Sequence, residues 1–300
     1  MSEIALQQFS TKSLPSARRR RIIKKIALYT LMTAIAVIMM FPFWYALVTS
    51  SRIRPATVYN PVRFWPEQFT RINYSIFADI LNTTLQISVA RVLYNTAFIT
   101  FGIIILQLFF CSIGAYSMAR LEWKGKRVVL KIFFASMMVP GIVTMIPSFE
   151  LLRSFGLIDT RWGLIIPGAV SIFGVIFLRA FFLSTPKEIA EAGRIDGAGE
   201  FRIFATLYMR MILPGVITLG LFAFNGNWNA FMWPMIVLGH NRSHHTLAIV
   251  INEFNTLASV ELFGPGPAMA AAVVTIVPTV VLFLIGQKFF MDNLAFTGIK

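Results

Sequence analysis

The sequence predicts an all-α integral membrane protein with six membrane-crossing helices, and three observations carry that prediction. Hydrophobic residues make up 57% of the chain and charged residues 13%, with a mean hydropathy of +0.71, outside the range of soluble globular proteins. The apolar residues are gathered into long runs, and about 20 such residues in a helix cross a hydrocarbon core of about 30 Å. Basic residues crowd into alternate connections between the runs, the pattern expected when positive loops stay on the cytoplasmic side.

Taken in order, an N-terminal tail at 1–25 is polar through Ala17 and then carries Arg18-Arg19-Arg20-Arg21 with Lys24 and Lys25. The run that follows is too long for the core of a secretory signal and has no small-residue cleavage pattern, so it reads as a retained anchor. Spans are predicted at about 26–50, 92–119, 130–149, 162–183, 211–237 and 264–288, within a transmembrane domain at 26–290 and ahead of a C-terminal tail at 291–300. The fourth run reaches its length only past Arg179, whose long side chain can snorkel to the interface. Arg120, Lys124, Lys126 and Arg127 mark the second inside connection, and Lys187, Arg194, Arg202 and Arg210 mark the third, at 184–210. The outer connections are less densely basic, although Arg52 and Arg54 blur the contrast, so both termini are expected in the cytoplasm. Pro42, Pro140, Pro167 and Pro278 predict kinks, and Trp44, Tyr45, Trp162 and Trp233 predict interface anchors.

Several function classes are excluded. A net charge of +14 would suggest nucleic acid in a soluble protein, but here the inside loops and anionic headgroups account for it, so no nucleic-acid partner is expected. The chain contains no G-x-x-x-x-G-K-[ST] phosphate loop, no H-E-x-x-H and no G-x-S-x-G, so neither ATP hydrolysis nor other catalysis is expected of it, and no catalytic residue is assigned. Acidic residues are confined to loops and span ends, which argues against an intramembrane proton relay. Cys111 stands alone as a packing residue, and His240, His244 and His245 read as solvated loop histidines; no metal site and no cofactor are expected.

Between the fourth and fifth runs, Thr185-Pro186-Lys187-Glu188 predicts a capped helix start: Thr185 and Glu188 form a capping box and Pro186 sits at the first helical position. Gly197 is placed to end that helix. Ala190, Gly193 and Gly197 at i, i+3 and i+7 leave one flank nearly bare, so another backbone can approach it closely.

The order Glu191-Ala192-Gly193, then Asp196-Gly197-Ala198, with Phe204 and Pro214 beyond, resembles the EAA loop of the permease subunits of bacterial ABC importers. Trp65-Pro66, Asn73-Tyr74, Asn95, Ala115-Tyr116-Ser117-Met118-Ala119-Arg120, Pro140, Pro147, Gly226-Asn227-Trp228-Asn229 and Thr297-Gly298-Ile299-Lys300 extend the resemblance from about Ile26 to the end. It is closest to the binding-protein-dependent carbohydrate importers of MalG type. Gly193 replaces the second alanine of the signature, and Arg210 stands where the first of two prolines is usual, which predicts a more regular helix after the turn.

That resemblance implies a type I ABC importer permease fold in a bacterial inner membrane, with the loop seated in a cleft of an ATPase subunit. It implies a second related permease, two ATP-binding subunits, an extracytoplasmic solute-binding protein, and a sugar or related solute as cargo. Glu191, Ala192, Gly193, Asp196, Gly197 and Ala198 are then the docking residues: Ala192 and Gly193 for close approach, Gly197 for a turn with positive φ, Asp196 as a turn acceptor and Glu191 as a polar contact. Asn225, Asn227, Trp228 and Asn229 are candidates for the solute path, since amides in an apolar run need polar company. Interhelical hydrogen bonding is the competing role for those amides. A secondary transporter, or a membrane anchor that recruits a cytoplasmic partner, are the alternative functions.

Overall fold

A computed structural model describes residues 15–52, 64–65, 68–257 and 265–297, and every regular element among them is helical. In order they are α1 (Pro15–Ser50), α2 (Ile72–Thr83), α3 (Val89–Arg120), α4 (Lys126–Met137), α5 (Gly141–Ser154), α6 (Trp162–Gly168), α7 (Ile172–Ser184), α8 (Glu188–Ile195), α9 (Glu200–Met211), α10 (Leu213–Trp228), α11 (Met232–Val237), α12 (Leu247–Leu257) and α13 (Pro265–Thr297). The basic cluster at 18–25 belongs to the first turns of α1. Of the quoted resemblance, Pro66 and the last three residues, 298–300, lie outside the described residues, as do 1–14 of the N-terminal tail.

The bundle is organised around α3. Its buried residues Val92, Asn95, Ile99, Ile103, Gln107, Cys111, Ala115 and Met118 recur at helical spacing and face α6, α7 and α10 in turn. Ser88 starts this helix by accepting a hydrogen bond from the Arg91 amide at 3.2 Å. Three apolar clusters lie along its length: one with α7 through α10, one with α2, α12 and α13, and one with α5, α6 and α11. Cys111 is fully buried, and its thiol donates to the Ser171 carbonyl at 3.3 Å, a packing role.

Among the described residues four helical stretches are long and apolar enough to cross a membrane, at Arg19–Ser50, Val89–Arg120, Trp162–Ser184 and Pro265–Gly286. The expected third span is two helices, α4 and α5, meeting at 104°. The cause is Pro140, which has no amide hydrogen and disfavours helical backbone at Val139 before it. The expected fifth span is likewise broken, with α9 and α10 at 77°. The helix after the connector is therefore not the regular one that Arg210 predicted: it contains a π-helical segment, Ile203–Tyr208, and Ile212 leaves helical geometry at φ −91° and ψ 5°. Pro214 enforces the bend, because its ring cannot share a continuous helix with the carbonyl four residues earlier, that of Arg210.

Polar side chains fasten the end of the bundle where α3 begins. Asn73 donates to the carbonyls of Ser50 at 2.9 Å and Arg52 at 2.8 Å, joining α2 to the end of α1. Asn95 donates to the carbonyls of Ser243 at 2.8 Å and His245 at 3.0 Å and accepts from Arg161 at 3.1 Å. Thr96 accepts the Leu247 amide at 2.8 Å, so α3 holds the start of α12. His245 belongs to this core and not to solvent: it is 2% exposed and bonds the Leu238 carbonyl at 2.9 Å.

Candidate functional site

The connector between α7 and α10 is built differently at its two ends. Its entry is not a capping box. Thr185 closes α7, donating its hydroxyl back to the Phe181 carbonyl at 3.1 Å, and Pro186 lies before the helix, which Lys187 begins without a side-chain cap. The Thr185 hydroxyl is turned toward the preceding turn, and with Lys187 at the N-cap no side chain caps the start of α8.

The exit follows the sequence closely. Gly197 has φ +79°, its amide donates to the Arg194 carbonyl at 3.0 Å, and the Ala198 amide donates to the Gly193 carbonyl at 2.9 Å. This pair of bonds is a Schellman motif, which satisfies carbonyls that a helix end leaves free. Ala198 packs on the inner cluster.

Gly193 makes its close approach within the chain. It is buried, and a Cβ there would lie 3.0 Å from Leu207 Cδ1 and 3.3 Å from Ile203 Cγ1, so α8 rests on α9. Ala190, 4% exposed, shares that contact face. Glu191, Ala192 and Asp196 point outward. Among the described residues the Asp196 carboxylate accepts no hydrogen bond, so it takes no part in holding the turn. The outward face also carries two large apolar side chains that the sequence reading missed, Ile195 at 87% and Phe201 at 75% exposure. An isoleucine in the last turn of a polar, amphipathic helix was the available signal.

Behind the connector lies an aromatic box: the Tyr116 ring is 5.5 Å from Phe182, 5.2 Å from Phe204 and 5.5 Å from Tyr208. Arg120 stacks over Tyr208 at 4.9 Å and donates to the carbonyls of Phe182 and Thr185 at the end of α7. Glu200 accepts from Arg194 at 2.8 Å and from Tyr116 at 2.7 Å. The Arg194 guanidinium, and after it the Tyr116 hydroxyl, hold the Glu200 carboxyl below the usual carboxylate range.

The amides of the fifth run separate onto different faces. Asn227 borders a cavity of about 560 Å³ with Thr144, Ser148, Met145 and Trp233, and its amide donates to the Ala223 carbonyl at 2.7 Å. Asn229 opens on another groove of about 400 Å³ with Phe231, Asn252 and Asn255, and is bonded to Asn225. Trp228 is packed in the core: it is 4% exposed, stacks on Phe224 at 5.2 Å and donates to the Thr275 carbonyl at 3.2 Å. Among the described residues no three His, Cys, Asp or Glu side chains converge to hold a metal ion.

Comparison with known proteins adds to this geometry. Residues 110–291 match the family described as binding-protein-dependent transport system inner membrane component. The chain is 30% identical over 209 residues to the arabinooligosaccharides transport system permease protein AraQ of Halalkalibacterium halodurans, covering 69% of this chain and 72% of that relative. It is 26% identical to the sn-glycerol-3-phosphate transport system permease protein UgpE of Rhizobium meliloti, covering 87% and 92%. A crystal structure of a bacterial ABC transporter involved in the import of the acidic polysaccharide alginate contains a chain with the same fold, at a TM-score of 0.77 and 24% identity over 94% of this chain and 100% of that one.

Proposed function

Because the chain belongs to the family of binding-protein-dependent transport system inner membrane components, we propose how its parts serve that role. It is the membrane-spanning permease subunit of an ATP-driven importer with the type I permease fold. The connector at 184–210 faces the cytoplasm with both termini, and α8 with its Schellman turn seats in an ATP-binding subunit. Two such subunits, a second related permease and an extracytoplasmic solute-binding protein complete the machine. ATP binding closes the ATP-binding subunits, their movement carries α8, and the permease exchanges an inward-open for an outward-open state.

One observation carries the docking assignment: α8 is pinned from behind through Ala190 and Gly193, while Ile195 and Phe201 stand exposed on either side of the Gly197 turn. Two large apolar side chains on a polar connector lower their free energy when a partner covers them. The solute is a sugar or related compound. Among the described residues no charged side chain lines the cavity beside Asn227, while Thr144, Ser148 and Trp233 do, a set suited to an uncharged polyhydroxy solute. Proteoliposomes holding the co-purified complex and its binding protein, offered arabinotriose, diacetylchitobiose and sn-glycerol 3-phosphate, test both points. ATP-dependent uptake of a neutral sugar is expected. Uptake that survives ATP depletion and collapses with the ion gradient would point to a secondary transporter; a complex that binds ATPase and moves nothing would point to an anchor.

A further inference from the structure

We propose that the inner end of α3 receives the movement of the docking helix, through Tyr116 and Arg120, and that Glu200 is the positioning residue that makes the connection. The inference rests on the docking role argued above and says where the motion goes next.

The covalent routes out of α8 are poor conductors of a push. On the exit side the chain passes through Gly197 at φ +79° and then Gly199, neither of which has a Cβ neighbour within 4 Å. Beyond them α9 contains a π-helical segment and meets α10 at 77°. On the entry side α7 is only 13 residues long and is separated from α6 at Ala169–Ser171. A lateral force on α8 would be absorbed at these hinges unless something spans them.

Glu200 spans the exit hinge. One carboxylate oxygen accepts from Arg194, before the Gly197 turn, and the other accepts from Tyr116 on α3, so the turn is closed by two charge-assisted hydrogen bonds at 2.8 Å and 2.7 Å. Arg120 holds the entry: four residues after Tyr116 and therefore on the same face of α3, it donates to the carbonyls of Phe182 and Thr185. Both ends of the connector are thus gripped by one turn of one helix. That helix runs unbroken for 32 residues, a length of about 48 Å at 1.5 Å per residue. At its far end Asn95 and Thr96 bind the backbone at residues 243, 245 and 247. Among the described helices that touch the connector, α3 alone joins it to the outer loop without a break.

The test uses the complete complex in proteoliposomes and two readouts: ATP hydrolysis, which reports docking, and the ATP-dependent change in maleimide labelling of a cysteine placed at the exposed His240, which reports arrival at the outer face. Tyr116→Phe keeps the ring in its aromatic box and deletes only the hydroxyl, and Glu200→Ala removes both acceptors. Each is expected to shrink the labelling change by about fivefold or more, with hydrolysis and co-purification of the ATP-binding subunits unchanged. Glu200→Gln, which still accepts from Tyr116, is expected to fall between wild type and alanine, and Tyr116→Phe added to Glu200→Ala should cost nothing further. A labelling change of wild-type size in all the variants, or a wild type that hydrolyses ATP with no change at position 240, overturns the inference and leaves docking standing. Failure of any ATP-binding subunit to co-purify with wild type overturns the docking reading, and this inference with it.

Discussion

Replacing Gly197 by valine alters the backbone and almost nothing else, which makes it the sharpest probe of the connector. The residue sits at φ +79°, and no atom lies within 4 Å of where a Cβ would be, so the substitution creates no clash. The cost is conformational: an L-residue in the left-handed region is disfavoured by about 1–2 kcal/mol, with a β-branched side chain at the upper end. At 1.4 kcal/mol per factor of ten, that lowers the equilibrium constant for the Schellman turn by about fivefold to thirtyfold. The bundle core does not include Gly197, so membrane insertion and melting temperature should hold. The freed carbonyls of Gly193 and Arg194 fray the last turn of α8, the turn that carries Ile195. In proteoliposomes holding the whole complex, arabinotriose taken up per ATP hydrolysed should fall in the order Gly, Asn, Ala, Val, because asparagine tolerates left-handed backbone better than alanine. Equal uptake per ATP in the valine and wild-type complexes, or a series without that order, would refute the reasoning.

Other outcomes follow from the same geometry. Trp228→Ala should lower stability by about 3–5 kcal/mol through the cavity it leaves against Phe224 and the lost bond to Thr275; thermal melting in detergent measures it, and an unchanged melting point would contradict the packing role. Asn95→Leu strips partners from the carbonyls of Ser243 and His245 and from Arg161, at about 1–3 kcal/mol for each polar group left unsatisfied. Hydrogen exchange should then quicken at 240–247 and stay unchanged in α8. Burial lowers the His245 pKa below the ordinary imidazole value, against the opposing pull of Glu253, so the folded state favours the neutral ring. That contribution is fully present above about pH 6.5 and is lost as pH falls through the lowered folded-state value. The melting temperature should therefore drop on acidification below that range, less so in His245→Gln, and a flat wild-type profile would contradict the assignment.

Much of the fold was legible because membranes impose a one-dimensional rule. Runs such as 26–50 and 92–119 need only their own length and apolarity to be recognised, and Gly197 declared its turn because only positive φ explains a glycine there after a helical stretch. The candidate site was half legible. Thr185 has the spacing of a cap but bonds backward, because α7 ends immediately before it, and Gly193 looked free for a partner when Leu207 already fills that space. Trp228 and His245 have partners, Thr275 on α13 and Asn95 on α3, that become adjacent only when separate helices pack.

The sequence by itself determined that this chain enters a membrane, that a helix ends at Gly197 and that Pro140 interrupts another, since each depends on covalent geometry or on residues within a few positions of one another. Tertiary structure alone decided that Tyr116 reaches the connector through Glu200, 84 residues away, that Arg120 reaches it through the carbonyls of Phe182 and Thr185, and that Asn227 and Asn229 open on different cavities. Hydrogen bonds and burial between distant segments depend on how helices pack in three dimensions, and spacing along a chain does not encode that directly.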